Sequence, residues 1–428
     1  MTAASAAPAT HAAAPGAARR PAVWRWLAYG ALGFALLSLI ADLTDSAGLT
    51  GSGTFGAALR LGLPIGLAGL GGLWAERAGV VNIGLEGMLI LGTWFGAYGG
   101  VELGPWWGVT LGIAGGALGG LLHALATVRF GVDHIVSGVA INLLGGGVAR
   151  YLNIIVFDDR TGATQSPRVS GSVGQLDVPF VAGGDLFGWR SPDLFAWLDR
   201  QDWFILSDFG AALHGLTSGI SWVVVLGIAL FPATWWVLWR TPFGLRLRSV
   251  GEDPVAAESL GVNVYRMKTI AVTMSGALAG LGGAVLVLVF ASIYREGQTA
   301  GRGFIGLAAM IFGNWYPGGL ALGAGLFGFT DALQLRDESA VHSMLLFVAV
   351  LLGALGLRAL LKRRLVAAAA ILGCAAAVGA WWALTDEFPS QFVPFTPHVT
   401  TLLVLAFASQ RLRMPAADGQ VYRRGQGR

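Results

Sequence analysis

Residues 54–100 read TFGAALRLGLPIGLAGLGGLWAERAGVVNIGLEGMLILGTWFGAYGG. Two apolar runs, 54–74 and 84–100, flank a short polar junction that holds Glu76, Arg77, Asn82 and Glu86. A bilayer core takes about 20 mostly apolar residues per helix, so each run has the length of a membrane span. The junction reads either as an ordinary cytoplasmic turn with a local Glu76–Arg77 pair or as a broken path inside the bundle. Gly79, Gly84 and Gly87 let the backbone unwind, and unwound backbone at membrane depth must line a cavity or lie inside protein. Ionisable groups so close to apolar spans face a bundle interior. Outward from this stretch the pattern repeats, with apolar runs at 24–42, 105–128, 134–156, 219–239, 267–291, 317–333, 340–357, 365–385 and 395–410. A half-length run, Phe304–Phe312, is expected to be a short crossing or a re-entrant helix paired with 317–333. The reading is an all-α polytopic membrane protein with about 10–12 transmembrane helices.

Composition points the same way. Of 428 residues, only 12% are charged and 55% are hydrophobic, 65 are Gly, and the mean hydropathy is +0.65. A soluble domain carries about 25% charged residues, so this chain cannot cover a globule of 44.5 kDa with polar surface. The glycines lack a three-residue period, which excludes collagen. A lone cysteine, Cys374, excludes an intramolecular disulfide and a cysteine metal cluster. The 28 Lys and Arg residues fall in short bursts between apolar runs, which argues against nucleic acid as a partner.

Those bursts orient the chain, because short basic loops stay cytoplasmic. They lie before and within the first span (Arg19, Arg20, Arg25), in 240–268, in 358–364, and after Gln410. Residues 157–218 carry eight Asp against four Arg and read as an extracytoplasmic loop. Counting crossings from an inside start agrees at each test. The expected organisation is a disordered cytoplasmic tail over 1–23, a transmembrane domain over 24–410, and a cytoplasmic tail over 411–428. The first run is read as a retained helix.

Leu-Ala-Gly-Leu-Gly-Gly occurs at 67–72 and again at 278–283, and residues 83–90 echo 305–312 downstream. The crossing count runs the two copies in opposite directions, as in an inverted-topology repeat. Chemistry is mostly conspicuous by what is missing. The two lysines, Lys268 and Lys362, follow no Gly-rich loop, so a Walker A sequence is excluded. There is no H-E-x-x-H pair, no G-x-S-x-G, and no pair of histidines at metal-ligand spacing. No catalytic residue, metal or cofactor is expected, and any ATP must be bound by a separate subunit.

Three further segments stand out. Residues 240–268, WRTPFGLRLRSVGEDPVAAESLGVNVYRMK from Trp239, place a short polar helix started by Pro254 and ended by Gly261 between two spans. Residues 301–319, GRGFIGLAAMIFGNWYPGG, suit a broken helix beside a pathway. Asp331 sits near a span end.

Taken in order, ERAGVVNIGLEGM (76–88), DHIVSGVAINLL (133–144), TPFGLRLRSVGEDPVAAESLGVNV (241–264), GRGFIGLAAMIFGNWYPGG (301–319) and RMPAADGQVYRR (413–424) resemble the permease subunits of the branched-chain amino acid/ribose-type ABC importers. The nearest likeness is to nucleoside and simple-sugar members. The resemblance implies a type II importer fold with inverted repeats, a small-molecule solute, and three kinds of partner: a cytoplasmic ATP-binding subunit, a second related permease and an extracytoplasmic substrate-binding lipoprotein. By its match to the family's docking loop, Gly251, Glu252, Asp253, Pro254 and Ala257 are expected to couple to the ATPase. Asn82, Glu86 and Asn314 are expected along the substrate path, Glu86 more by hydrogen bonding than by direct contact. The implied location is the plasma membrane, with both termini cytoplasmic. Asp133-His134 departs from the family's usual pair. Residues 190–216 read as an extension of the outer loop, and 340–390 as an additional helical hairpin. The alternative is a secondary transporter driven by an ion gradient, which would need more ionisable groups in mid-span than Glu86 and Asp331.

Overall fold

The computed structural model describes residues 23–162, 164–186, 188–336, 338–389, 391–392 and 412–425. The expected tail before residue 23 and the last apolar run, 395–410, lie outside these residues.

The architecture is helical throughout the membrane domain: α1 (Val23–Leu43), α2 (Ser52–Arg77), α3 (Leu85–Glu102), α4 (Pro105–Ala124), α5 (His134–Thr161), α6 (Leu194–Asp199), α7 (Leu206–Thr217), α8 (Trp222–Arg240), α9 (Pro242–Glu252), α10 (Pro254–Ser259), α11 (Val264–Val285), α12 (Arg302–Phe312), α13 (Pro317–Arg336), α14 (Glu338–Leu361) and α15 (Leu365–Leu384). Seven helical stretches among the described residues are long and apolar enough to span a membrane: 47–77, 105–129, 134–161, 222–240, 264–291, 339–361 and 365–384. The apolar runs 84–100 and 317–333 form α3 and α13, which pack inside the same bundle. α12 has 11 residues, about 16 Å of helix, or half a bilayer core.

Two helices form the centre. α2 and α11 are buried along most of their length and run antiparallel, with Gly71 against Ser275 and Gly282 against Pro64. α2 is flanked by α12, parallel to it, and by α13, antiparallel to it. α11 is flanked in the same way by α3, parallel, and α4, antiparallel. Small residues permit this closeness. At Gly116, Gly276 and Gly280 an added Cβ would stand 2.3 Å from a backbone carbonyl oxygen of the facing helix. Such small-residue seams let membrane helices pack by van der Waals contact without a hydrophobic drive.

The outer elements are lighter. α14 and α15 pair with each other and bury little of their apolar stretches, and α14 joins the rest through α1 and α13. The Ser46–Ser343 hydroxyl pair, 2.6 Å apart and buried, ties this hairpin to the end of α1. Residues 162–221 hold two short strand pairs (Gln175–Leu176 with Ile220–Ser221, and Asp185–Leu186 with Trp189–Arg190) and the helices α6 and α7. Within the expected extension, α7 packs on the start of α2, and Asp208 accepts a hydrogen bond from Ser38. Trp197 and Trp203 stack edge-to-face and are half exposed.

Candidate transport core and coupling surface

The path between α2 and α3 is the most unusual stretch of backbone. The helix ends at Arg77, Gly79 turns the chain at φ +77°, and residues 80–84 run without helix into the bundle. Buried side chains take over the hydrogen bonding that a helix would supply, as they must away from water. The fully buried Asn82 donates to Ser275 Oγ at 2.8 Å and accepts from the Gly84 amide at 3.0 Å. Ser275 lies 11 residues into α11, so this contact sits about 16 Å along it, deep in the bundle. Asn142 of α5 accepts from the Gly87 amide at 2.7 Å and donates to the Ile83 carbonyl at 2.9 Å. His134 Nδ1 accepts from the Val81 amide at 3.3 Å. His123 Nε2 lies 3.2 Å from the Val81 carbonyl, which only accepts, so the neutral ring carries its proton there, and Nδ1 accepts from Ser137, 2.8 Å away. Asp133, next to His134, caps α5 by accepting from the Ile135 and Val136 amides.

Glu86 completes the core. Its carboxylate accepts from Thr299 Oγ1 at 2.6 Å, from the Gly301 amide at 3.0 Å and from the Gly303 amide at 2.7 Å. It thus caps the short helix α12, where unpaired amides and the positive end of the helix dipole favour an anion. Between these two amides, Arg302, the first residue of α12, forms a buried ion pair with Asp331 of α13, and Gln334 donates to the other Asp331 oxygen at 3.1 Å. Asn82 is thus engaged by α11 and Glu86 by the start of α12.

Asn314 stands apart from them. It sits in the α12–α13 turn at φ +54°, at the same end of the bundle as Gly79, and its Oδ1 accepts from the Arg413 amide at 2.7 Å. In this turn Trp315 donates to Glu76, and its carbonyl accepts from Arg77 Nε and Nη2 at 3.1 and 2.7 Å.

Of the five expected coupling residues, the structure gathers all at this end and divides them into root and rim. Gly251 is buried against the Arg77–Gly79 backbone, and Ala257 is buried among Val250, Val264 and Tyr422. Asp253 caps α10 through the Val255 and Ala256 amides, with Pro254 at its first position, so a six-residue helix starts without orphaned donors. Glu252 and Asp253 are exposed, as are Val255 and Leu260, the last at 83%.

Sequence reasoning missed what holds α10 in place. Residues 412–425 form a strap across the bundle end. Ala417 donates to the Gly251 carbonyl at 2.9 Å, and Ala416 to Glu252 Oε2 at 3.2 Å. Tyr422 donates to Glu258 and meets Tyr265 edge-to-face at 5.4 Å, while Arg424 pairs with Glu258 at 3.2 Å. Asp418 reaches in beside Glu76, near Lys268 and Arg77. Contact between two carboxyls needs a proton on one of them. Burial lifts the Asp418 carboxyl to about 6. The unfolded chain loses that proton near 3.8, so the strap's stability is highest below about pH 4, falls as pH rises toward 6 and then levels off. Asp418→Asn should flatten this part of the profile. The measurement is the melting temperature of both proteins between pH 4 and 7, and parallel curves would contradict the assignment.

Among the described residues, no group of His, Cys, Asp and Glu could hold a metal ion. The arrangement is a closely packed helical core with a short polar helix seated on one end. Comparison with known proteins agrees. Residues 55–355 match the family described as the branched-chain amino acid transport system permease component. The chain is 32% identical to the guanosine ABC transporter permease protein NupQ of Bacillus subtilis, covering 86% of this chain and 96% of that protein. It is 31% identical to the nucleoside ABC transporter permease protein NupC of Lactococcus lactis, over 84% and 93%. It is also 32% identical to the putative glucose ABC transporter permease protein TsgC13 of Haloferax volcanii, over 67% and 78%. No solved structure matches. On the helical bundle, the half-length α12 and these relatives together, the chain is a multi-pass membrane protein of the branched-chain amino acid transport system permease family.

Proposed function

We propose that this chain is the permease subunit of an ATP-driven importer, carrying a nucleoside or a simple sugar into the cytoplasm. The solute class follows the names of relatives that this chain covers almost end to end. The observation that carries the coupling half of the reading is the seating of α10. Its root is buried against the ends of α2 and α11, and its rim stands free. A helix fixed at its root and bare at its tip passes a push from a cytoplasmic ATP-binding subunit to the backbone that continues into Asn82 and Glu86. ATP stays on that subunit, and the chain needs no cofactor of its own. In this reading the end with Gly79, Gly251 and Asn314 is cytoplasmic, together with both termini. The opposite end, with α6 and α7, faces a substrate-binding lipoprotein, and a second permease completes the pathway. The relatives include pairs from one organism, such as NupQ with the guanosine ABC transporter permease protein NupP, which favours a heteromeric pair.

The packing also supports an inverted repeat. α2, α12 and α13 stand to one another as α11, α3 and α4 do, and the two central helices are antiparallel. The repeated hexapeptides fall on the two central helices. Residues of the 83–90 echo open α3, and those of 305–312 end α12.

Val255 and Leu260 are the exposed apolar tips of the docking helix. A Val255→Asp/Leu260→Asp variant should keep its expression and melting temperature, because surface substitutions stay within about 0.5 kcal/mol. Solute uptake with the partner ATPase should fall at least about tenfold, as loss of interface anchors of 1–2 kcal/mol or more implies. Unchanged uptake and unchanged recovery of the ATPase on affinity purification would remove α10 from the interface.

A further inference from the structure

A cavity of about 860 Å³ opens at the bundle end where α4 and α11 meet. Its polar wall comes from Arg129 below α4, Arg266 in the first turn of α11, and Arg424 of the strap. Arg424 is neutralised by Glu258, which also accepts from Tyr422. Neither Arg129 nor Arg266 forms an ion pair among the described residues, and the Arg129 guanidinium rests over Tyr265 at 5.7 Å. The cavity therefore carries two uncompensated positive charges.

What rises from these arginines decides the ligand. On α11, Ile270 and Met274 follow Arg266 at intervals of four, so they lie on the same face, and Met274 is 38% exposed. Above Arg129 stand Leu125, in the wider helical turn that continues α4 over residues 125–129, and then Leu122 and Leu118 on α4 itself, all exposed. Each helix thus presents a basic group with an apolar ladder leading from it into the membrane. The floor at Ile270 is about 9 Å inside the span that begins at Val264. An acidic protein partner or a soluble phosphate would satisfy the arginines and leave both ladders bare. An amphiphile covers charge and ladder together, and basic pockets between helices at a cytoplasmic face take anionic headgroups.

We propose that this cavity seats the phosphate of an anionic phospholipid, with Arg129 and Arg266 as its ligands and the acyl chains lying along α4 and α11. The site does not depend on which solute is carried. The test is native mass spectrometry of the full-length chain, titrated with phosphatidylglycerol or with phosphatidylcholine of the same chains. Wild type should retain phosphatidylglycerol in clear preference. Arg129→Ala/Arg266→Ala should lose about tenfold or more of that retention, as removal of two basic groups at a charged surface implies. Arg246→Ala, an exposed arginine at the same end outside the cavity, should retain it fully. Should the double alanine variant fail to fold, Arg129→Gln and Arg266→Gln singly provide the same comparison. Equal retention of both lipids, equal loss in the Arg246 control, or displacement of the lipid by millimolar glycerol phosphate would each overturn the proposal.

Discussion

Glu86→Ala should lower the stability of the folded chain by about 3–5 kcal/mol, the scale of breaking a buried charged pairing from one side. The carboxylate is 8% exposed and serves three donors, Thr299 and the Gly301 and Gly303 amides. Alanine leaves all three in a dry interior, and each orphaned donor costs about 1–3 kcal/mol before relaxation. Glu86→Gln should cost less, because its oxygen still serves two donors. Its amide nitrogen then faces the Gly303 amide, which offers a hydrogen and no acceptor. The expected order of melting temperature in detergent is therefore wild type, Gln, Ala. A different outcome has a different meaning. If Glu86→Ala melts with wild type and yet loses solute uptake, the carboxylate belongs to the solute pathway and not to the start of α12.

That contrast explains which parts of the molecule were legible in the sequence. Membrane spans are readable where lipid sets composition. α14 and α15, with few buried residues, are among the most apolar stretches, whereas α2, the most deeply sheathed in protein, is the least apolar of the seven. Hydropathy is consequently blurred at α2, where neighbouring helices replace lipid, but not at α11, the other central helix, which only α14 exceeds among the seven. Glycine and charge at 76–88 did announce a broken path, since neither suits a lipid-facing helix. The partners of that path were not legible. Ser275, Asn142 and His123 look like ordinary polar residues in apolar runs, and only the packing brings them to Asn82, Ile83 and Val81. Asn314 is expected along the substrate path by resemblance, but its side chain is engaged 99 residues downstream by the strap. The strap could be seen as a motif, RMPAADGQVYRR, while its target could not, because no local period links Tyr422 to Glu258.

Gly251→Val should uncouple the transporter while leaving its membrane core standing. A Cβ at this position would lie 2.3 Å from the Arg77 carbonyl oxygen, 2.9 Å from its carbon and 3.1 Å from the Gly79 nitrogen. All three are backbone atoms, so no side chain can swing aside. Gly79 cannot retreat either, because its own left-handed turn is backed by the Ala417 carbonyl, which an added Cβ there would approach to 3.1 Å. The end of α9 must therefore lift from the end of α2, at an overpacking cost of about 1–3 kcal/mol or more. Lifting also draws the Gly251 carbonyl from the Ala417 amide and disturbs Ala257 in its apolar seat. The helices that surround Asn82 and Glu86 lie further inside and keep their contacts. Uptake by the assembled transporter should fall at least about tenfold, the effect of losing 1.4 kcal/mol or more of coupling. ATP hydrolysis should persist and lose its response to solute, and the main melting transition should move far less than in Glu86→Ala. Gly251→Ala places the same Cβ against the same atoms and should share the defect, so normal coupled uptake in the alanine variant would show that α10 is not driven through this contact.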